Sequence, residues 1–213
     1  MPTKLFLELS EEKRTKIMNV SMAEFSQYGF ENSSTNRIVQ NAGISKGSLF
    51  KYFQSKDELY FYILDMVTEE LTAGLARETL GLSKDLFERI VQYAEMEFAW
   101  YLRHPEKCRL ITAAFTKSAT AVYQKVEARY GERGQAIYDG LLEGVDASGL
   151  RLDKRKTADM VKWFLKGFNE DFVADIQSRW DGDIDGMRRE YMESLAGYMV
   201  VLKSGLMAEG KGG

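Results

Sequence analysis

The side chains best suited to binding chemistry lie on one short helix, predicted over residues 45–52. Its solvent-facing side would carry Lys46, Gly47, Phe50 and Lys51, because Leu49 and Phe53 turn to the opposite side. A lysine can bind a phosphate or a base edge, and the small Gly47 and Ser48 would let the start of the helix approach a large partner. This side of the helix is therefore a candidate polyanion-binding surface.

A second short helix, predicted over residues 34–41, precedes this one, and Gly43 supplies the tight turn between the two. Ile38 and Ala42 form the apolar stripe of this helix. Two short helices joined through a glycine turn match the helix-turn-helix arrangement, whose second helix enters the major groove of DNA. An ordinary helical hairpin with a solvated basic side is the alternative that spacing alone leaves open.

His104 and Cys108 are four residues apart, a spacing at which a Cys–His nucleophile pair or a two-ligand metal site would share a helix face. Neither a third orienting group nor a further metal ligand follows nearby, and Pro105 marks a helix start between them. We therefore interpret them as a helix-capping residue and a buried thiol. The sequence shows no phosphate-binding glycine loop and no Ser-His-Asp set, so we predict no catalytic residue, no metal site and no cofactor.

The larger C-terminal part of the chain is rich in aromatic residues at helical spacing, which individually are typical of a hydrophobic core. Acidic residues lie among them, and an apolar lining with a few polar anchors is also typical of a small-molecule site. Carboxylates beside aromatic faces would suit a cationic ligand. The candidate ligand-binding residues are Tyr93, Glu97, Trp100, Phe115, Tyr123, Trp163 and Phe168.

Helices must position these side chains, because apolar residues recur every three to four positions along most of the chain and only two prolines occur, Pro2 and Pro105. The first predicted helix covers residues 10–29. Ser55 and Glu58 form a capping box at the start of a long helix that runs to about residue 79. In total we predict about nine helices and no strand, that is, an all-α fold.

Composition restricts the class of protein further. Of the 213 residues, 45% are hydrophobic and 12% aromatic, which is too much for a disordered chain. The single cysteine fits a reducing cytoplasm, and the sequence shows neither a secretion signal nor about 18 consecutive apolar residues, so we expect a cytoplasmic protein without a membrane span. The net charge of −3 divides unevenly, because residues 1–56 carry 8 basic and 5 acidic side chains. Only the N-terminal part is basic, as a DNA-binding end would be.

Three segments of this basic part, GFENSSTNRI at 29–38, NAGISKGSLFKYF at 41–53 and SKDEL at 55–59, resemble the DNA-binding signature of the TetR family of bacterial transcriptional regulators. The resemblance covers about residues 10–65. The remaining helices are similar to that family only in number and length.

The resemblance implies a DNA-contacting role for a set of matched positions: Thr35, Asn36, Lys46, Gly47, Ser48, Phe50, Lys51, Tyr52 and Lys56. In the family pattern Thr35 would contact a phosphate and Asn36 a base edge. The first turn of the recognition helix would read bases directly, whereas the last three residues of the set would hold phosphates. Phe50 replaces the more usual tyrosine, so a contact with a thymine methyl group takes the place of a hydroxyl–phosphate contact. Val39 replaces the usual alanine, which alters packing of its helix.

The implied organisation is an N-terminal three-helix DNA-binding domain at residues 1–55, a helical ligand-binding and dimerisation domain at 56–207, and a flexible tail at 208–213. The last two long helices offer more apolar surface than one protomer needs. We therefore expect a homodimer whose two recognition helices lie about 34–36 Å apart, one turn of DNA. Its partners would be double-stranded operator DNA and a small-molecule effector of unknown identity.

The expected function is that of a transcriptional regulator and not of an enzyme, most simply a repressor that a ligand releases from a palindromic operator. An activator, or a regulator that needs no ligand, would use the same DNA-binding surface. A helical enzyme or small-molecule carrier with an incidental basic end is the alternative of another class. The sequence offers no catalytic constellation in its favour.

Overall fold

The computed structural model describes residues 1–76, 79–116, 121–179 and 183–208, most of which are helical. These segments hold one 3₁₀ turn, at Thr79–Gly81, and ten α-helices: α1 (Lys4–Leu7), α2 (Glu11–Asn32), α3 (Thr35–Ala42), α4 (Lys46–Tyr52), α5 (Lys56–Ala76), α6 (Leu86–Arg103), α7 (Pro105–Thr116), α8 (Ala121–Leu142), α9 (Lys154–Arg179) and α10 (Ile184–Leu206). The predicted all-α fold is confirmed. The count exceeds nine because of α1, a helix of four residues. No helix of the described segments combines the length and the apolar run that crossing a membrane requires.

Local capping chemistry sets the helix boundaries. At the start of α5 the Ser55 hydroxyl accepts the N–H of Glu58 at 3.1 Å, and the Glu58 carboxylate accepts the N–H of Gln54 at 3.0 Å. The predicted capping box therefore forms, with its return bond shifted by one residue. The predicted helix end at Gly29 coincides with a break in the helical backbone, φ 69° and ψ 176°, beyond which helical residues continue to Asn32.

One compact unit comprises Met1–Ala73 and His104–Val126. Its core contains the fully buried side chains Phe6, Ile17, Phe25, Ile38, Leu49, Phe53, Leu59, Tyr60, Ile63 and Leu64. Within this unit α7 packs along α2, where the Ser26 hydroxyl donates to the Glu106 carbonyl oxygen at 2.9 Å. The unit extends beyond the predicted domain boundary at residue 55, and that boundary stays a prediction.

The second compact unit comprises Gly74–Arg103 and Glu127–Gly213. The flexible tail was predicted at residues 208–213, and residues 209–213 lie outside the described segments. The buried core of this unit consists of Leu86, Phe87, Ile90, Ala94, Val145, Val161, Leu165, Leu195, Met199 and Leu206. The Asp85 carboxylate accepts two N–H groups of the first turn of α6, at 2.9 and 3.1 Å, and pairs with Lys203 of α10 at 2.7 Å. One side chain thus caps α6 and joins it to α10.

Candidate nucleic-acid interface

The candidate interface is built from α3 and α4 and the turn between them. Gly43 has φ 70° and ψ 35°, the left-handed conformation that favours glycine, and its N–H donates to the Gln40 carbonyl oxygen at 3.2 Å. Ile38 of α3 and Leu49 of α4 are fully buried, which fixes one side of each helix to the core of the first unit. The opposite side of α4 is left to solvent.

Most of the predicted DNA-binding residues are accessible to solvent: Asn36, Lys46, Gly47, Phe50 and Lys51 are exposed, and Thr35 and Ser48 are half-buried. The Ser45 hydroxyl caps α4 by accepting the N–H of Ser48 at 3.0 Å, and it lies 2.8 Å from the Ser48 hydroxyl. An exposed lysine near each end of α4, with small or flat residues between them, gives a surface suited to phosphates and base edges.

Gly47 is a residue that the fold does not require. A methyl group placed on its Cα would meet only the Ser45 hydroxyl oxygen, at 3.9 Å, and its backbone is helical. Alanine would therefore fit here and would favour the helix more strongly than glycine does. The lack of a side chain at this exposed position points to close approach by a partner surface.

Two of the predicted phosphate-binding residues have other partners in the structure. Tyr52 is 6% exposed, and its ring centroid lies 5.9 Å from that of Phe6. The Lys56 ammonium donates to the carbonyl oxygens of Phe30 at 2.7 Å and Ser33 at 3.2 Å, and it lies 4.4 Å from the Phe30 ring centroid. Both side chains therefore stabilise the first unit, and their phosphate contacts stay predictions.

The anchor of α3 is an ion pair that the sequence analysis missed. Glu24 of α2 is buried, and its carboxylate accepts the N–H of Ser34 at 2.7 Å and pairs with the Arg37 guanidinium at 2.6 Å. The hydrogen bond to Glu24 raises the pKa of Arg37, and burial opposes only part of that effect. The guanidinium also lies 4.2 Å from the Tyr28 ring centroid. The sequence contained one sign of this ion pair: Glu24 lies seven positions after Ile17 and so on the same, apolar side of α2.

The predicted ligand-binding residues are divided between the two units. Phe115 and Tyr123 belong to the first unit, and the other five belong to the second. In the second unit the Phe168 ring stacks on that of Phe164, with 5.8 Å between centroids, whereas Trp163 is 69% exposed. Trp163 thus lies on the surface of α9, where it does not enclose a ligand within this protomer.

Tyr93, Glu97 and Trp100 lie on α6, where Trp100 is buried and the other two are half-buried. Burial raises the pKa of the Glu97 carboxyl, and a hydrogen bond from the Tyr101 hydroxyl, at 2.6 Å, opposes part of that effect. A carboxyl group with a raised pKa among aromatic rings is suited to anchor one polar group of a ligand.

A different set of side chains lines a cavity of about 660 Å³ in the second unit, between α6, α8 and α9. Apolar residues such as Leu86, Ile90 and Leu165 line it together with charged residues such as Lys154 and Asp159. This volume lies within the range of small-molecule sites, about 300–1,000 Å³. None of the seven predicted ligand-binding residues lines this cavity.

The segment that contains α3 and α4 matches a known protein family. Residues 17–63 match the family model described as bacterial regulatory proteins, tetR family. An HTH-type transcriptional repressor of Mycobacterium tuberculosis is 30% identical over 98 residues, which are 46% of this chain and 50% of that protein. The chain therefore spans about half the length of this relative.

Solved structures share the whole fold. A TetR family transcriptional regulator from Chloroflexus aurantiacus superposes with a TM-score of 0.64 and 22% identity, over 98% of this chain and 100% of the other. The transcriptional regulator FadR from Bacillus subtilis, in complex with stearoyl-CoA, has a TM-score of 0.59 and 15% identity, over 85% of this chain and 97% of the other. At these identities the likeness concerns the fold alone.

Proposed function

Because the chain belongs to the TetR family of bacterial regulatory proteins, we propose that it is a DNA-binding transcriptional regulator that reads an operator with α4 in the major groove. The observation that carries this proposal is the outward side of α4. Exposed Lys46, Phe50 and Lys51 lie there around a glycine that the fold does not require. A residue of this kind is expected where a large, negatively charged surface approaches the helix closely.

The individual roles follow from exposure and chemistry. Lys46, Gly47 and Ser48 form the first turn of α4 and would read base edges, as would Asn36 of α3. Phe50 is 40% exposed and would contact a thymine methyl group. The phosphate contacts would come from Thr35 and Lys51. Tyr52 and Lys56 would contribute only through the small part of each side chain that remains accessible to solvent.

We propose a homodimer that uses α9 and α10. These helices expose large apolar side chains, Met160, Trp163, Tyr198, Val200 and Val201, of which Trp163 and Val200 are each 69% exposed. Apolar surface of this extent on two neighbouring helices is typical of an interface. A two-fold dimer would set two copies of α4 against two half-sites, so the operator would be a near-palindrome.

The regulator would act as a repressor in the cytoplasm, and a small molecule would release it from the operator. The cavity of about 660 Å³ in the second unit offers one site for this effector, and the aromatic residues of α6 offer another. A ligand can release the DNA only if it binds the DNA-incompetent arrangement more tightly than the competent one. An activator, or a regulator without a ligand, would keep the same DNA surface. The sequence shows no catalytic motif that would support an enzymatic role.

The test is a selection of random duplex DNA on the purified protein, read by sequencing. The matched variants are Lys46→Ala, which removes a proposed base contact, and Lys156→Ala, which removes an exposed lysine of α9 in the second unit. We expect a palindromic motif with the wild type and Lys156→Ala, and a relaxed motif with Lys46→Ala, because a good base contact contributes about 1–3 kcal/mol of discrimination. Recovery of no motif, with only weak salt-sensitive binding, would refute the proposal.

A further inference from the structure

The recognition helix α4 has only seven residues, Lys46–Tyr52, so its own hydrogen bonds give it little stability. Its last intrahelical bond runs from the N–H of Phe53 to the Leu49 carbonyl oxygen at 2.9 Å. The carbonyl groups of the final turn need partners outside the helix. Exposed Phe50 and Lys51 belong to this same turn, so its order determines where two proposed DNA contacts are placed.

The partners come from the segment before α2. The Thr3 hydroxyl donates to the Lys51 carbonyl oxygen at 2.8 Å, and the Thr3 N–H donates to the Tyr52 carbonyl oxygen at 2.9 Å. Thr3 therefore closes the end of α4 with two hydrogen bonds from a residue about fifty positions earlier. A terminal turn held in this way frays less than one left to water.

Phe6 of α1 adds a hydrophobic anchor beneath the same turn. It is 1% exposed, and its ring centroid lies 4.8 Å from that of Phe53, 5.9 Å from that of Tyr52 and 6.0 Å from that of Tyr62 on α5. Its neighbours Leu5 and Leu7 are about half exposed, so burial is confined to one side chain of this helix.

We infer that Thr3 and Phe6, the N-terminal clamp, are positioning residues for DNA recognition. They hold the last turn of α4 so that Phe50 and Lys51 keep one orientation towards the operator, and they need not contact DNA themselves. Neither residue lies within the segment 17–63 that matches the family model. The inference rests on the proposed function, since it assigns these residues to the accuracy of operator reading.

The test uses two pairs of variants of the full chain. Thr3→Val keeps the shape and the backbone N–H but removes the hydroxyl bond, whereas Thr3→Ser retains that bond. Phe6→Ala removes the buried ring, whereas Leu5→Ala removes an exposed side chain of the same helix. Three quantities are measured: hydrogen exchange of the Phe53 amide, the ratio of operator affinity to nonspecific DNA affinity, and Tm.

For Thr3→Val we expect exchange of the Phe53 amide to rise and the affinity ratio to fall, each by roughly two- to tenfold, the range of one hydrogen bond. Tm should change little, and nonspecific affinity, which depends on phosphate charge, should stay constant. Thr3→Ser and Leu5→Ala should behave as the wild type, and Phe6→Ala should show a larger effect than Thr3→Val.

The outcomes separate this inference from the proposed function. A wild type that reads an operator, together with an unchanged affinity ratio in Thr3→Val, would overturn the clamp alone, even if Phe6→Ala failed to fold. A wild type without sequence preference would overturn the proposed function and with it the role assigned to the clamp. An equal fall in nonspecific affinity and in operator affinity would also overturn the role of the clamp. A general loss of folded protein, rather than a loss of positioning, would have that effect.

Discussion

Replacing Gly47 with alanine should change protein stability and operator affinity in opposite directions. The residue lies in the first turn of α4, where a new methyl group would have the Ser45 hydroxyl oxygen 3.9 Å away as its only neighbour. Alanine loses less conformational entropy than glycine on entering a helix, which stabilises the folded state by about 0.5–1 kcal/mol. For a chain of this size we expect Tm to rise by about 1–4 °C.

The same methyl group should weaken operator binding. It would project from the exposed turn that is proposed to approach base edges, where the new atom must displace the DNA or the helix. We expect a loss of at least about tenfold, which is 1.4 kcal/mol, measured by fluorescence anisotropy with a labelled operator duplex. Gly47→Ala would thus be a variant that is more stable and binds less well.

Gly131 provides the matched control. It lies within α8 in the second unit, it is exposed, and a methyl group there would meet no atom within 4 Å. Gly131→Ala should raise Tm by a similar amount and leave operator affinity unchanged. If Gly47→Ala bound the operator as tightly as the wild type, the reasoning about close approach would be refuted. If it lowered Tm, the claim that the fold does not require this glycine would fail.

Three further predictions concern single charges. Lys51→Gln should reduce the slope of log Kd against log salt concentration by about one, for operator and nonspecific DNA alike. Fluorescence anisotropy at several salt concentrations measures this slope, and an unchanged slope would exclude the phosphate contact. Burial opposes ionisation of Asp85, but the hydrogen bond from Lys203 and the helix N–H groups lower its pKa below the usual 3.8, so the carboxylate stabilises the protein above that pH. Asparagine can still cap α6 but cannot pair with Lys203, so Asp85→Asn should reduce the unfolding free energy at pH 7 by no more than about 1 kcal/mol. This difference should shrink as acid protonates the wild type; an equal difference at pH 7 and pH 3 would contradict the reasoning. Burial raises the pKa of Glu97, so the ionised carboxylate destabilises the fold at neutral pH. Glu97→Gln should therefore raise Tm at pH 7.5, and the rise should become smaller as the pH approaches 4.5. A lower Tm of Glu97→Gln than of the wild type at pH 7.5 would contradict this prediction.

The features of the first unit that the sequence predicts correctly are those that local chemistry determines. The glycine turn at Gly43, the start of α4 at Ser45 and the capping box at Ser55 each depend on residues within a few positions of one another. Helix α1 escaped prediction because four residues show no periodicity and Phe6 packs against aromatic rings about fifty positions later. The Glu24–Arg37 pair escaped for the same reason, since a charge on an apolar stripe does not reveal its partner.

The candidate ligand-binding set shows a different limit. Periodicity identifies which residues of a helix share a side, but it does not identify which side faces a cavity. Trp163 and Phe168 are five residues apart, about 140° around α9, so one helix could not point both towards the same site. The structure accordingly exposes the indole and packs the phenyl ring against Phe164.

The helices that carry and flank the proposed DNA-reading surface are held by contacts with α7. These contacts suggest how an effector would influence DNA binding. Within the first unit α7 is bound to α2 through Ser26 and Glu106, and to α5 through the ion pair of Lys107 with Glu70 at 2.6 Å. Helix α7 begins at Pro105, two residues after the last residue of α6. Helix α7 thus holds both α2 and α5 within the first unit. We propose that any change an effector imposes on α7 would reach the reading surface through α2 as well as through α5.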